Sequence, residues 1–302
     1  MYSMKTMSMF TKGTMVALLT GGLFFASCKK EAAITTAEVE ATVESTVNDT
    51  EADIAYDDVF NTTMGIGAEN GGEEIGWTGG VGVFGRMEGN SYTGRTDSTR
   101  TRCFTVTITP KDRGVFPKTV VINFGTGCLG PDGKLRKGKI VTVYTGPMRI
   151  PGSKATTTFD GFKVDSMLVQ GTHEAINSSS SNKQALTIRV IDGKLTWDSG
   201  RWVRWSTTRT ITQVEGNGSP FYPLDDIFAI TGGGRGENSK GKSWAHEITE
   251  PLVKKFTCRW ISKGILKVRH NAVVGTLDFG DGSCDNKATL TVDGKTKEIT
   301  LR

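Results

Sequence analysis

The chain has 302 residues and five cysteines, with 37 Lys and Arg against 32 Asp and Glu and a formal net charge of +5. This length excludes a peptide too small to bury a core, and it accommodates one large domain or two smaller lobes. The small net charge hides a division: Glu31 to Gly76 holds acidic residues and no Lys or Arg, whereas from Trp77 to the end 33 basic residues face 20 acidic ones.

Residues 1–27 read as an export signal. Lys5 and Lys12 flank the approach to a short apolar stretch, Gly13 to Ala26, too short to span a bilayer stably. Ala26 and Ser27 directly before Cys28 resemble a bacterial lipobox, and that likeness implies cleavage before Cys28 and its lipidation, with palmitate among the acyl chains. The expected location is the cell envelope, with the membrane held through the lipid anchor. Lys29 stands where an Asp often signals inner-membrane retention, so the outer membrane is favoured.

Residues 28–76 read as an acidic tether with a short helix. Val39, Val43 and Val47 recur at i, i+4 and i+8. A better helix is expected to start at Thr50, whose hydroxyl can cap it, with acids in the first turn and Met64 near its end. Gly65 to Gly80 is rich in glycine and reads as a loop. An acidic leader of this kind can fold back on a basic body and neutralise part of it.

Residues 77–302 read as strands. Phe104, Val106 and Ile108 alternate with threonines, and apolar runs follow at Val120–Phe124, Ile140–Tyr144, Leu186–Val190, Trp202–Val214, Ile227–Ile230, Ile265–Val268, Ala288–Val292 and Glu298–Leu301. Asp132-Gly133, Asp192-Gly193, Gly216-Asn-Gly218 and Asp293-Gly294 read as hairpin turns, because these residues tolerate positive φ. Gln170 to Asn177 and Thr231 to Asn238 resemble one another and read as repeated hairpin tips. No βαβ rhythm is present. The expected fold is all-β and antiparallel, either a sandwich or a long twisted meander.

An internal repeat organises the cysteines. Setting Cys28 aside leaves four, an even number that suits disulfides in an oxidising compartment. Cys103 opens a strand and Asn123-Phe-Gly leads to Cys128; Cys258 opens another and Asp278-Phe-Gly leads to Cys284. Equivalent units should carry equivalent bridges, Cys103–Cys128 and Cys258–Cys284. The two units span about 84–150 and 227–302, joined by central hairpins. Phe159-Asp-Gly-Phe-Lys-Val-Asp165, Cys258-Arg-Trp-Ile261, the stretch from Asp278 to Lys287 and the terminal Thr296-Lys-Glu-Ile-Thr-Leu-Arg302 resemble a group of uncharacterised lipoproteins from Bacteroidota. That resemblance covers most of residues 100–302. It implies an envelope location and an all-β body, and it carries no catalytic residue across.

The candidate chemistry is sparse. His173-Glu174 and His246-Glu247 lack the second histidine one helical turn on that a zinc peptidase uses, so no metal or cofactor is expected. With His270 they are read as exposed strand or loop histidines. No Gly-x-Ser-x-Gly elbow occurs. Asp278, Asp281 and Asp285 crowd a glycine-rich turn, at a spacing unlike that of an EF-hand. Trp197, Trp202 and Trp205 crowd Arg201, Arg204 and Arg209. If they shared a face, they would offer a stacking and cationic surface for an anionic polysaccharide. Trp202 and Trp205 fall on opposite faces of a regular strand, so at least one of them should be buried. No nucleic-acid partner is expected. The leading reading is a non-catalytic structural or ligand-binding module, and the alternative is a glycan or peptide hydrolase whose site assembles only in the fold.

Overall fold

The computed structural model describes residues 35–65, 75–76, 103–130, 132–181, 183–216, 225–258 and 260–301. Cys28, the signal segment and the start of the first cysteine unit near residue 84 lie outside the described residues. A helix, α1 (Thr36–Met64), precedes fourteen strands: β1 (Thr105–Thr109), β2 (Lys118–Asn123), β3 (Cys128–Leu129), β4 (Leu135–Tyr144), β5 (Lys154–Val164), β6 (Met167–Asn177), β7 (Ala185–Trp197), β8 (Trp202–Glu215), β9 (Ile227–Asn238), β10 (Ser243–Lys255), β11 (Lys263–His270), β12 (Val273–Asp281), β13 (Lys287–Val292) and β14 (Lys295–Thr300).

These strands form one antiparallel sheet in sequence order, with β3 pairing only to β4. Of the two arrangements expected, the chain adopts the long meander. Short turns explain why neighbours in sequence are neighbours in space. The β5–β6, β11–β12 and β13–β14 hairpins turn on two residues, with Asp165, Asn271 and Asp293 at φ of 50–52°. Asp192-Gly193 behaves differently. It lies inside β7, where pairing to both β6 and β8 slips, so the signal marks a β-bulge and not a turn. A Cβ on Gly193 would lie 2.6 Å from the Tyr56 hydroxyl and 2.5 Å from the Trp205 carbonyl oxygen, which is why this position is glycine. The segments read as repeated hairpin tips are strand interiors of β6 and β9.

The helix departs further from expectation. It is a single helix that starts fifteen residues earlier than Thr50 would place it, at a capping box. The Thr35 hydroxyl accepts from the Glu38 N–H, and the Glu38 carboxylate accepts from the Thr35 N–H. Thr50 sits mid-helix, its hydroxyl donating to the Thr46 carbonyl at 2.9 Å. The buried face is not the valine stripe, since Val47 is 42% exposed. It runs through Ala41, Thr42, Ser45, Thr46, Asn48, Asp49 and Ala52, then Ala55, Tyr56, Val59, Phe60 and Met64. Thr42, Ser45 and Thr46 each donate to the carbonyl four residues back, so their hydroxyls enter the interior already satisfied. Residues 36–64 therefore belong to the folded body and are not a tether.

Helix α1 lies across the strands and closes one face of the sheet. Thr42 and Thr46 meet Gly275 of β12, Tyr56 donates to the Gln170 carbonyl of β6 at 2.6 Å, and the Thr63 carbonyl accepts from Tyr144 of β4 at 2.7 Å. From Thr42 to Thr63 the helix covers ~32 Å at its usual rise, against ~38 Å for the strands from β12 to β4. The inner face alternates as a half-buried sheet should: Ile140, Leu195, Val203, Val268 and Leu277 are at most 1% exposed. Burying side chains of this kind contributes ~1.5–3 kcal/mol each.

The disulfides staple both ends of the meander. Cys103 joins Cys128 and Cys258 joins Cys284, with Cα atoms 5.2 and 5.6 Å apart, the pairing that the repeat predicts. A buried lysine serves each end. Lys118 donates to the carbonyls of Pro110 and Asp112, and Lys254 donates to the carbonyl of Cys258.

Candidate functional site

The chain concentrates its polar chemistry in a seam between α1 and the inner face of the sheet. Acids of the leader and bases of the body meet there: Glu44 pairs with Lys240 at 2.8 Å, Glu51 with Arg201, Asp53 with Arg209 and Asp58 with Arg136. The charge division in the sequence is thus a docking code. Each acid comes from the helix and each base from a strand or a strand-connecting turn.

Asp49 is the centre of the seam and is fully buried. One of its oxygens accepts from the indole N–H groups of Trp205 on β8 and Trp244 on β10, at 2.7 and 2.9 Å. The Nδ1 of His246 lies 2.6 Å from the same oxygen, as a charge contact that is off the line of a hydrogen bond. Burial works to raise the Asp49 pKa. The neighbouring His246, the hydrogen bond from Trp244 and the more distant Arg209 outweigh it and hold the carboxyl below the ordinary aspartate range. The Trp205 ring stacks between Tyr56 and His246, with centroids 5.7 and 5.6 Å away.

His246 also reaches Thr207, with Nε2 3.2 Å from the hydroxyl oxygen. Carboxylate, imidazole and hydroxyl therefore stand in a row, the order that a nucleophilic hydrolase uses. Two features close it. The Thr207 hydroxyl donates to the Gly233 carbonyl at 3.0 Å. The cavity beside it, lined by Asp53, Asp57, His173 and Arg209 among others, holds about 20 Å³, room for one water molecule and not for a substrate.

All three histidines are buried, at 1%, 4% and 5% exposure for His173, His246 and His270, which corrects their reading as exposed. Strand alternation turns His173 and His246 inward and leaves Glu174 and Glu247 on the other face. The six residues read as one ligand surface are split by the sheet. Trp205 and Arg209 face α1. Arg201 donates to Asn48 at 2.6 Å, pairs with Glu51 and stacks on Trp197 at 3.9 Å. Trp202 and Arg204 lie on the outer face, where Lys194 joins them. The acids of the second cysteine turn are engaged locally. Asp278, Asp281 and Asp285 accept from the backbone N–H groups of Gly280, Ser283 and Lys287. Among the described residues no cluster of three or more His, Cys, Asp or Glu is arranged to hold a metal, and no helix is long and apolar enough to cross a membrane.

Two titrating groups face the small cavity with opposite signs. Burial pushes Asp57 up to about 8, the neighbouring Asp53 adds to this, and Arg209 and Lys254 oppose it. Burial pushes His173 down to about 4, and neither of its ring nitrogens has a hydrogen-bond partner among the described residues. Asp57 binds its proton more tightly folded than unfolded, so its contribution is full below about 3.8 and is lost as pH rises toward 8. His173 binds its proton less tightly when folded, so its contribution is full above about 6.5 and is lost as pH falls toward 4. The two slopes cancel between those limits, and only Asp57 acts from pH 6.5 to 8. Wild-type stability is expected to fall across that upper window. The slope is at most ~1.4 kcal/mol per pH unit, and less because Asp57 keeps some contact with solvent. Asp57→Asn should abolish the fall and uncover a rise from pH 4 to 6.5. Urea midpoints at pH 4, 6.5 and 8 measure this, and a flat wild-type profile across the upper window counts against it.

Comparison with family models, with curated proteins and with solved structures finds no match for this chain.

Proposed function

We propose that the protein is a non-catalytic binding module of the cell envelope, exported and held by a lipid on Cys28, with its ligand taken on the outer face of the sheet. The observation that carries this reading is the use made of the interior polar groups. The groups able to do acid–base or nucleophilic work, Asp49, His246, Thr207, Asp53 and Arg209, join α1 to the sheet around a space for one water molecule. A hydrolase built on the Asp49–His246–Thr207 row would require α1 to leave the sheet and break the seam that docks it. The lipobox-like run before Cys28 and the likeness to Bacteroidota lipoproteins support an outer-membrane address. In this reading α1 begins only a few residues after the anchor, so the folded body sits close to the lipid surface.

Cys28→Ser is the test. The variant should leave the membrane fraction as a soluble or unprocessed product, and the wild-type N-terminal peptide should carry acyl mass at Cys28. A mature wild-type chain that is membrane-bound without any acyl group on Cys28 would defeat the anchoring reading. Release of reducing ends or new amines from envelope polymers by the purified wild type, lost in Thr207→Val, would replace the binding-module reading with the hydrolase.

A further inference from the structure

The seam neutralises Arg136, Arg201 and Arg209, whereas other bases stand outside it. On β7 and β8, Lys194 and Arg204 approach the half-buried Trp202 ring, 5.9 and 4.9 Å from its centroid. Arg204 shares its charge with Glu237 at 3.7 Å. On β9 and β11, Arg235 and Arg269 stand opposite Ala245 of β10 from its two sides, so two guanidinium groups flank one small residue on the exposed face. Arg235, Lys267 and Arg269 are exposed and make no ion pair among the described residues. A trough of about 470 Å³ runs beside them, floored by Gly232, Gly233 and Ala245 and walled by Glu247, Lys267, Arg269 and Val274. That volume is in the range of a small-ligand site.

We infer that this outer band, from Trp202 through Arg235 and Arg269 to the trough, binds an acidic polysaccharide, an inference that rests on the proposed role as an envelope binding module. The five strands from β7 to β11 give the band a width of ~19 Å, enough for several sugar units. Each element suits one feature of such a polymer. Guanidinium groups take carboxylates in paired hydrogen bonds. The Trp202 ring, with Lys194 and Arg204 held over it, adds an aromatic and cationic edge to the band. The side-chain-poor floor lets a ring approach the backbone, and Glu247 accepts from sugar hydroxyls. The same carboxylate, set among the bases, works against a bare phosphate surface, so a glycan fits this band better than an anionic lipid.

The experiment measures binding of the purified mature chain to polygalacturonate, with neutral dextran and vesicles containing phosphatidylglycerol as comparators. Wild type should bind polygalacturonate, lose that binding in high salt and ignore dextran. R235Q/R269Q should weaken binding about tenfold or more, while K295Q/K297Q, which removes the same charge from the far edge strand, should leave it within about twofold. Trp202→Ala should weaken polygalacturonate binding with the melting temperature retained. Equal loss in both double variants overturns the band in favour of overall charge. Unaltered binding by R235Q/R269Q overturns the band and leaves the module reading standing. Binding to the vesicles but not to polygalacturonate, or to no probe at all, overturns the glycan inference. Appearance of new reducing ends in the bound polymer would instead keep the band, as a substrate site, and overturn the non-catalytic reading.

Discussion

Asp49→Asn is expected to destabilise the fold by about 3–5 kcal/mol, because two buried indole N–H groups lose the carboxylate to which they donate. The carboxylate is fully buried and receives two indole N–H groups, with the His246 Nδ1 2.6 Å away. An asparagine keeps the shape but carries no negative charge, and it presents an N–H₂ group toward donors. For a body of this size that loss corresponds to a fall in melting temperature of roughly 6–20 °C. The pH dependence separates this cause from simple packing loss. The folded pKa of Asp49 is depressed, so its contribution is present above the ordinary aspartate value and is lost as pH falls through the folded one. The gap between wild type and variant should therefore narrow in acid below pH ~4. His246→Gln in the Asp49→Asn background places a side-chain amide beside the asparagine as a hydrogen-bond partner and should recover part of the loss. A variant that melts within about a degree of wild type at neutral pH would show that the carboxylate contributes nothing net.

The physical role of Asp49 follows from the helix around it. Its N-terminal half buries hydroxyls, an amide and alanines, which pack against the sheet with little preference for one rotation over another. Apolar burial favours contact in any of several positions. A carboxylate that must meet two indoles and an imidazole has one position, so we read Asp49 as the group that fixes how α1 sits on the sheet. The flanking pairs, Glu51–Arg201, Asp53–Arg209 and Asp58–Arg136, repeat the instruction along the helix.

The sheet was legible in the sequence because its signals are local. Alternating β-branched residues mark strands, Asp293-Gly294 marks a tight hairpin, and the paired Cys segments mark the staples. Asp192-Gly193 misled because positive φ serves a bulge as well as a turn, and only the pairing partners distinguish them. The helix misled for a different reason. The valine spacing points to an apolar stripe, whereas the buried face is made of small and hydroxylated residues that satisfy themselves on the helix backbone. The seam left one legible trace, the one behind the expectation that the acidic leader folds back on the body: eight acids without a base between Thr36 and Met64, set against a basic body, describe two surfaces made for one another. Its individual partners, up to 195 residues apart in the chain, leave no local pattern at all. The aromatic and basic cluster around Trp202 could not be read as one face, because alternation divides it between the interior and the outer side.

Gly236→Ala is expected to cost about as much as truncating a core aromatic, ~3 kcal/mol or more, although it adds a single carbon to a strand. A Cβ at this position would lie 2.2 Å from Cζ2 and 2.5 Å from Cε2 of Trp244, so the ring must move. Trp244 is 4% exposed, and its indole N–H is one of the donors to Asp49. Displacing the ring therefore removes a hydrogen bond from a buried carboxylate as well as disturbing the packing. Gly234 is a neighbouring case of a different kind, since a Cβ there would sit 2.2 Å from the Ser206 carbonyl oxygen as well as 2.7 Å from Cε1 of His246. Gly236 is thus read as clearance for Trp244, the side chain that crosses from β10 to reach Asp49 of α1. The check is a double-mutant cycle. Trp244→Ala alone should cost ~3–5 kcal/mol. In the Trp244→Ala background, Gly236→Ala no longer meets a ring, and its cost should fall to the propensity change of an ordinary strand substitution, with a coupling energy of ~2 kcal/mol or more. Additive costs across the cycle, measured by urea unfolding, would mean that β9 needs its glycine for the backbone alone. A large coupling would instead tie a glycine that looks like a turn signal to the carboxylate that docks the helix.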